Sequence, residues 1–294
     1  MDKKIQTETE TEMEVEVEVE TEIQVEIIIY ATKEDFYMKW LLQSFDRHNS
    51  ESSNNIKLTV LGIGTKWNSY MDKVKVVFEY LKSQSQSQSE SESESQSQLQ
   101  NKLICVIDAY DVLINTSLKD LKTKYLELAK GKIVISKQGD PTIFEQSIPF
   151  LSEINDLMLV KTFHGVFNAG VYMGKFSDIM NMYSYMIAKS EELNNYDDQY
   201  IINIYIEENR DLFYLDNDKN FICTIYECMD LFVYDTKAYF IHKIGNGSLI
   251  NYLKFNGYEI TEAEQSIIRS KSLSIQFEKT KYHTENFLKN LLKI

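Results

Sequence analysis

The sequence predicts an α/β fold, a single domain in which helices flank a mainly parallel central sheet. Two observations support this prediction. Between residues 25 and 136, short apolar runs of strand length alternate with stretches in which apolar residues recur at the helical period, a pattern typical of parallel crossover units. In addition, the 294 residues are 43% hydrophobic and 12% aromatic, which is sufficient for one sizeable core.

The predicted elements follow one another in this alternating order. The first four strands are VEIIIYA (25–31), IKLTVLG (56–62), LICVID (103–108) and KIVIS (132–136). Helical periodicity fills the intervals at 34–45, 69–82 and 117–130. Beyond them, the sequence predicts helices at 176–190, 197–208 and 284–293, and strands at 221–226 and 233–242. Because ligands bind beyond the carboxyl ends of parallel strands, the residues after each strand are candidates for a site.

The formal net charge of −14 is concentrated in two low-complexity segments. Residues 1–26 contribute −8 and the Ser/Gln/Glu tract at 83–98 contributes −3, leaving −3 for the remaining residues. A nearly neutral body has no basic footprint for nucleic acid. We interpret 1–24 as an acidic tail, with an edge strand as the alternative, and 83–98 as a solvated loop. The domain then spans 25–260, and a C-terminal extension follows at 261–294.

Several classes of protein are excluded by simple sequence features. No run approaches the ~18 uncharged apolar residues that a membrane-spanning helix needs, and the acidic start is unlike a signal peptide. We therefore expect no membrane insertion, and a cytoplasmic location is only the default. Three cysteines (Cys105, Cys223 and Cys228) predict reduced, buried thiols rather than a disulfide framework. A Cys-x4-Cys zinc pair would lack two further ligands nearby.

The strand LICVI ends in Asp108-Ala109-Tyr110-Asp111, which places two carboxylates at the ligand-binding edge of the sheet. Carboxylate oxygens there can hold a hard cation. Mg²⁺ or Mn²⁺ bound jointly with a diphosphate fits this set, because such ions keep positions open for substrate phosphates. The alternative is that one aspartate caps the following turn and the other is solvated.

The glycines are few and unevenly placed. Seven of the ten fall in three clusters, Gly62/Gly64, Gly165/Gly170/Gly174 and Gly245/Gly247. Each cluster lies at a strand end or in a tight loop beside polar residues, where the absence of a Cβ lets the backbone approach a ligand closely. An ordinary turn remains the alternative for any single glycine.

Seven motifs then occur in the order and spacing of one known family. They are LGIGTKW (61–67), DKVKVVFEYL (72–81), VIDAYDVL (106–113), FNAGVYMG (167–174), DDQ (197–199), LDNDKNFI (215–222) and FIHKIGNG (240–247). From about residue 25 to 255, the chain resembles the glycosyltransferase domain of the procollagen lysyl hydroxylase/glycosyltransferase family. The resemblance implies a single GT-A, Rossmann-like domain without the family's iron/oxoglutarate hydroxylase portion.

The resemblance also implies a set of site residues. It implies a Mn²⁺ site at Asp108, Asp111 and His242, a reasonable set of two carboxylates and one imidazole. It implies that a UDP-sugar donor is bound by Thr32, Trp67, Lys73, Tyr110, Gly245, Asn246 and Gly247. In the family, the tyrosine stacks on uracil. Judged on the residues alone, a lone histidine after a strand is more often structural, and Trp67 could belong to the core.

The same resemblance implies that three further residues face the transferred sugar. They are Asn168 in the FNAG motif, and Asp197 and Asp198 in the DDQ motif. Judged on the residues alone, the asparagine could be a turn residue. The two aspartates could be the acidic N-terminus of a helix, which the helix dipole favours.

The chain departs from the family at two places. Two extra residues separate His242 from Gly-Asn-Gly, and Ser248 stands where the family has a proline. Ile250 stands where the family has a lysine. Lys243 could take the role of that lysine at the diphosphate. The family's Ser-Ala-Glu…Cys-Trp-Pro segment is reduced to residues 136–141, without the glutamate and the tryptophan. These departures concern the selectivity for sugar and acceptor.

The resemblance implies a Mn²⁺-dependent enzyme that transfers glucose from UDP-glucose to galactosyl-hydroxylysine of a collagen-like polypeptide. Anomeric configuration is retained in this family. Two alternatives stay open. One is a hydroxylysine galactosyltransferase, and the other is a UDP-sugar-binding or collagen-binding module without turnover. Neither the donor sugar nor the oligomeric state follows from the sequence.

Overall fold

A computed structural model describes residues 24–50, 56–88, 99, 102–137, 166–225, 236–243 and 250–267. The strands are β1 (Val25–Tyr30), β2 (Lys57–Leu61), β3 (Leu103–Asp108), β4 (Val112–Ile114), β5 (Ile133–Lys137), β6 (Phe167–Lys175), β7 (Phe213–Leu215), β8 (Ile222–Ile225) and β9 (Phe240–Lys243). The helices are α1 (Phe36–Asn49), α2 (Met71–Gln88), α3 (Leu121–Lys124), α4 (Phe176–Leu193), α5 (Asp198–Glu208) and α6 (Ile250–Phe255). Within these residues, no helix has the length and apolar character that crossing a membrane requires.

The central sheet has six strands in the order β2-β1-β3-β6-β5-β7. Five strands run in one direction, and β6 is antiparallel to both of its neighbours. The predicted α/β class with a mainly parallel sheet is therefore confirmed. The periodicity did not predict β6, which contains the FNAG motif. A second sheet has the order β4-β9-β8.

Strand β1 shows why the apolar runs are continuous rather than alternating. Ile27 and Ile29 face a core cluster that includes Leu41 of α1. Ile28 faces the opposite cluster, which includes Val74 of α2. Because helices cover both faces of the sheet, successive side chains of the strand are all buried. The core thus lies on both sides of β1 and β3, and the strand ends at Tyr30 and Asp108 are paired in register.

The second sheet, β4-β9-β8, holds β9 against the turn after β3. Residue Val112 of β4 pairs with His242 of β9 in antiparallel register. The side-chain amide of Asn115 donates to the carbonyl oxygens of Thr236 at 3.0 Å and Ala238 at 2.9 Å. These bonds hold the segment that leads into β9. They therefore set where the histidine lies relative to Asp111, the residue before β4.

The LDNDKNFI motif has a structural explanation in the loop before β8. The buried carboxylate of Asp216 accepts backbone N–H groups from Asn220, Phe221 and Ile222, each at 2.8 Å. A carboxylate that accepts three backbone N–H groups, two of them buried, stabilises a tight loop. The thiols of Cys105 and Cys223 are buried, as expected, and Cys228 lies outside the described residues.

The low-complexity tract and one predicted helix differ from their predictions. Helix α2 continues to Gln88, so the prediction of a loop from residue 83 was wrong for 83–88. The predicted helix at 117–130 begins only at Leu121 and continues over Tyr125–Ala129 as a π-helix. Residues 1–23, 89–98 and 284–293 lie outside the described residues, so the tail, the rest of the tract and the terminal helix stay predictions.

The extension of α2 is explained by a buried polar cluster around Glu26, near the amino end of β1. The Glu26 carboxylate accepts hydrogen bonds from Lys102 Nζ at 2.5 Å, Tyr80 Oη at 2.6 Å and Gln84 Nε2 at 3.3 Å. Burial alone would raise the pKa of Glu26, but hydrogen bonds from Lys102, Thr59 and Tyr80 lower it to about 2. This residue therefore belongs to the sheet rather than to an acidic tail.

We expect Glu26→Gln to lower the free energy of unfolding by about 3 kcal/mol at pH 7, because it leaves Lys102 without its buried anion. Since the pKa in the folded state is about 2 and the ordinary value is 4.5, this stabilisation is present above pH 4.5. It is lost as the pH falls towards 2. Urea unfolding of the wild type and the variant across this range measures the difference.

The matched control is Glu79→Gln, which removes an exposed carboxylate from α2. It should change the unfolding free energy by less than about 0.5 kcal/mol, as expected for an exposed group. A pH-independent difference between the wild type and Glu26→Gln would contradict the assigned role of the carboxylate.

A linker replacement tests where α2 ends. Replacing residues 89–98 by a Gly/Ser linker of equal length should leave the melting temperature unchanged. Starting the replacement at residue 83 removes Gln84, whose side-chain oxygen accepts Lys102 Nζ at 3.1 Å, and should cost about 1–2 kcal/mol. Equal melting temperatures for the two replacements would show that Gln84 contributes nothing to the Glu26 cluster.

Candidate active site

Three side chains that are predicted to hold a metal, the metal-site residues Asp108, Asp111 and His242, meet at the carboxyl edge of the central sheet. Asp108 is the last residue of β3, Asp111 lies in the turn before β4, and His242 lies on β9. One ligand atom from each lies within 4.8 Å of the others. The Nε2 atom of His242 is 3.3 Å from Oδ2 of Asp111. The structure therefore brings His242 to two aspartates that lie more than 130 positions earlier in the sequence.

The position of His242 depends on Gly170 in β6. A Cβ added to this glycine would lie 2.2 Å from Cε1 and 2.6 Å from Nε2 of His242. Contacts this short do not occur, so any larger residue would displace the imidazole or the strand. In the sequence, Gly170 falls in a cluster of glycines near a possible ligand. The pattern does not indicate that the space is needed for the histidine ring.

The electrostatics of this cluster fit a divalent cation. Within the described part of the chain, Oδ1 of Asp111 and Nδ1 of His242 are buried without a hydrogen-bond partner. Burial raises the pKa of Asp108, and Lys73 opposes that rise. Burial would lower the pKa of His242, but the Asp111 carboxylate more than offsets this and raises it. Two carboxylates and an imidazole with unsatisfied buried atoms are ligands that suit Mn²⁺.

Lys73 lies behind the metal-site residues and is fully enclosed. Its ammonium contacts Oδ1 of Asp108, Oδ2 of Asp198 and the carbonyl oxygen of Ala169, each at 2.9 Å. Burial alone would lower the pKa of Lys73, but the two carboxylates raise it well above its ordinary value. The lysine is therefore charged, and it joins the end of β3 to the start of α5.

The two residues of the Asp pair have different surroundings. The Asp197 side chain accepts the backbone N–H of Tyr200 at 3.0 Å and so caps α5. The Asp198 side chain is buried and reaches Lys73 beside the metal-site residues. A role of Asp197 toward the sugar stays a prediction, since its observed contact is that of a helix cap.

Asn168 is held from two sides. Its Oδ1 accepts the backbone N–H of Gly170 at 2.7 Å, and its Nδ2 donates to Oε1 of Gln199 at 3.2 Å. The side chain is buried, and the FNAG and DDQ motifs are joined by this contact. Its proximity to Gly170 places Asn168 beside the histidine, while contact with a sugar stays a prediction.

The residues predicted to bind the nucleotide border the same edge. Tyr110 Oη donates to the carbonyl oxygen of Lys33 at 2.8 Å, which joins the turn after β3 to the loop after β1. The backbone N–H of Gly64 donates to the carbonyl oxygen of Thr32 at 2.9 Å. Trp67 is 46% exposed, so it belongs to the surface rather than the core. These contacts join the loops after β1 and β2 to the turn that contains Tyr110, and these two loops and this turn form the rim of the site.

Part of the predicted site lies outside the described residues. This holds for Gly245, Asn246 and Gly247 of the donor loop and for residues 138–141 of the shortened segment. Their roles stay predictions. The described part of the site comprises the metal-site residues, Lys73, Asp198, Asn168 and the rim.

The fold and the position of this site define a glycosyltransferase of the GT-A class. The profile of the PLOD GT domain matches residues 42–253, which is most of the chain. The chain therefore belongs to the PLOD GT domain family, as the resemblance of its motifs implied.

Two solved structures are similar to this chain at low identity. One is a glycosyltransferase involved in the glycosylation of the major capsid of PBCV-1, with a TM-score of 0.48 and 11% identity over 79% of this chain and 98% of that chain. The other is mouse xyloside xylosyltransferase 1 in its apo form, with a TM-score of 0.40 and 13% identity over 77% of this chain and 99% of that chain. No curated protein sequence matches the chain.

We expect Gly170→Ala to weaken Mn²⁺ binding by about 10- to 100-fold, the usual cost of disturbing the support of a metal ligand. The reason is that the added methyl group collides with the His242 ring. Electron paramagnetic resonance of free Mn²⁺ in a titration measures the affinity, and circular dichroism checks that the variant is folded.

The control is Gly174→Ala in the same strand. Its added Cβ would meet side-chain carbons of Ile133 at 3.0 Å and Ile179 at 3.3 Å, away from the metal-site residues. Its Mn²⁺ affinity should equal that of the wild type. Equal losses in the two variants would indicate a general effect on β6 instead of a collision with the histidine.

Proposed function

We propose that this glycosyltransferase uses Mn²⁺ to transfer glucose from UDP-glucose to galactosyl-hydroxylysine in a collagen-like polypeptide. The observation that carries the metal-dependent part is the meeting of Asp108, Asp111 and His242 at the carboxyl edge of the sheet. The choice of UDP-glucose and of this acceptor rests on membership of the PLOD GT domain family.

A cation bound there would supply Lewis-acid stabilisation of the charge that develops on the departing UDP. The residues Asp108, Asp111 and His242 would hold it. Tyr110 and Thr32, which border the metal-site residues, would position the uridine. Such positioning converts a bimolecular encounter into an aligned one, which can supply a large part of the rate enhancement.

On the other side of the metal-site residues, Asp198 and Asn168 would face the transferred sugar. Both side chains are buried and fixed, Asp198 by Lys73 and Asn168 by Gln199. A fixed polar group discriminates between sugars because an analogue that lacks the matching hydroxyl leaves it unpaired. This arrangement supports a transferase over a binding module, since a module would not require a buried carboxylate beside the metal-site residues.

We expect Asp108→Asn, Asp111→Asn and His242→Ala each to lower turnover by about 100-fold, the usual scale for losing a principal electrostatic stabiliser. Removal of metal by EDTA should abolish transfer, and added Mn²⁺ should restore it. The control is Asp46→Asn, which changes an exposed aspartate of α1 and should have wild-type activity. Full activity in EDTA would contradict the metal-dependent mechanism.

The donor and acceptor are tested together. The protein is incubated with Mn²⁺, UDP-glucose or UDP-galactose, and either unglycosylated or galactosylated hydroxylysine-containing collagen. Mass spectrometry of the hydroxylysine glycosides should find glucosyl-galactosyl-hydroxylysine from UDP-glucose and the galactosylated form. Galactosyl-hydroxylysine from the unglycosylated form, without a glucosyl product, would instead identify a galactosyltransferase. Binding of UDP without any product would identify a module that lacks turnover.

A further inference from the structure

We propose that Lys73 is a positioning residue, which holds the carboxylate of Asp198 against the metal site and acts on transfer through that carboxylate alone. The proposal deepens the proposed function and rests on it, because Asp198 would face the transferred sugar. It assigns Lys73 a role different from contact with the donor, which the family resemblance implied.

The hydrogen bonds of Lys73 support a positioning role. An ammonium group has three N–H donors. In this structure it has three oxygen partners at 2.9 Å, provided by Asp108, Asp198 and Ala169. No donor is left for a phosphate oxygen unless one of these contacts breaks. The side chain is only 8% exposed, so a ligand would also have to displace protein to reach the nitrogen.

The geometry also determines where Asp198 lies. Oδ1 of Asp108 and Oδ2 of Asp198 are both 2.9 Å from the same nitrogen, so the two oxygens are separated by at most twice that distance. Without a cation between them, two carboxylates this close would repel each other in a buried region. Lys73 therefore allows an acid from α5 to lie next to an acid from β3.

Because Asp198 is buried, its position depends strongly on Lys73. Asp198 is 6% exposed, and a buried carboxylate that loses its ion-pair partner is costly enough to turn towards water. The Lys73→Met variant keeps most of the apolar side chain and removes the charge. In that variant, Asp198 is expected to lose its position, while Asp108, Asp111 and His242 keep their mutual placement.

This role predicts a particular combination of effects. Turnover by Lys73→Met should fall about 100-fold, and the KM for UDP-glucose should change less than about threefold. Mn²⁺ affinity should not fall, because removing a positive charge next to Asp108 does not oppose the binding of a cation. A lysine that contacted the donor diphosphate would behave differently, since its loss would weaken UDP binding.

The test is a double-mutant cycle with Lys73→Met, Asp198→Asn and the double variant, which removes the buried pair together. If Lys73 acts only through Asp198, the double variant should turn over at the rate of Asp198→Asn, within about threefold. Multiplied effects of the two substitutions would overturn the proposal. Lys75→Met is the matched control, because Lys75 is a half-exposed lysine on the same helix, and it should retain wild-type turnover.

Two binding measurements do not depend on turnover. Calorimetry with UDP and Mn²⁺ should give the same UDP affinity for the wild type and Lys73→Met, within about threefold, and a tenfold loss would overturn the proposal. Electron paramagnetic resonance of free Mn²⁺ should show no loss of metal affinity. If the wild type transfers no glucose, the proposed function fails, while these binding arms still decide the role of Lys73.

The double variant also provides a test if Lys73→Met does not fold. Lys73→Met leaves a buried carboxylate unpaired and could fail to fold, which circular dichroism would detect. The double variant removes both charges, so it should be more stable than Lys73→Met. If Lys73→Met does not fold, the test is the turnover of the double variant against that of Asp198→Asn. Equal turnover of these two variants supports the proposal, and a turnover of the double variant at least tenfold lower contradicts it.

Discussion

The constraint on which the rest of this structure depends is a cluster of like charges at the end of β3. Asp108, Asp111 and Asp198 come from a strand, a turn and a helix, and they meet around the single ammonium of Lys73 and the imidazole of His242. Carboxylates held this close to one another repel unless positive charge lies between them. Asp108, Asp111 and His242 form a group that could hold a divalent cation, which connects the fold to the chemistry proposed for it.

The two sheets hold this cluster together. The antiparallel strand β6 runs between β3 and β5, and its Gly170 leaves the space that the His242 ring fills. The pairing of Val112 with His242 brings β9 to the turn that carries Asp111. Asp108 and His242 are thus placed by backbone pairing in a sheet, and the turn at Asp111 is tied to β9 because its carbonyl oxygen accepts the backbone N–H of Lys243 at 2.9 Å. Sites supported in this way keep their geometry more closely than sites on loops.

The sequence predicted the features that depend on local pattern and missed those that depend on distant contacts. Asp108 follows a continuous apolar run, so its place at the edge of a buried strand could be predicted from its neighbours alone. The need for glycine at position 170 depends on His242, which is distant in the chain. Likewise, the polar residues after Leu81 show no helical pattern, and the helix continues there because Gln84 reaches Glu26 and Lys102. The resemblance to a family supplied the histidine, which the residues alone did not favour.

The most direct test of the central claim is a crystal structure of the protein with Mn²⁺ and UDP, with data collected at the manganese absorption edge. An anomalous difference map locates the cation without reference to any assumed chemistry. The account predicts a manganese peak bound by Asp108, Asp111 and His242, with Lys73 still paired to Asp198. A manganese peak elsewhere in the protein, with these three side chains leaving the cation uncoordinated, would contradict it.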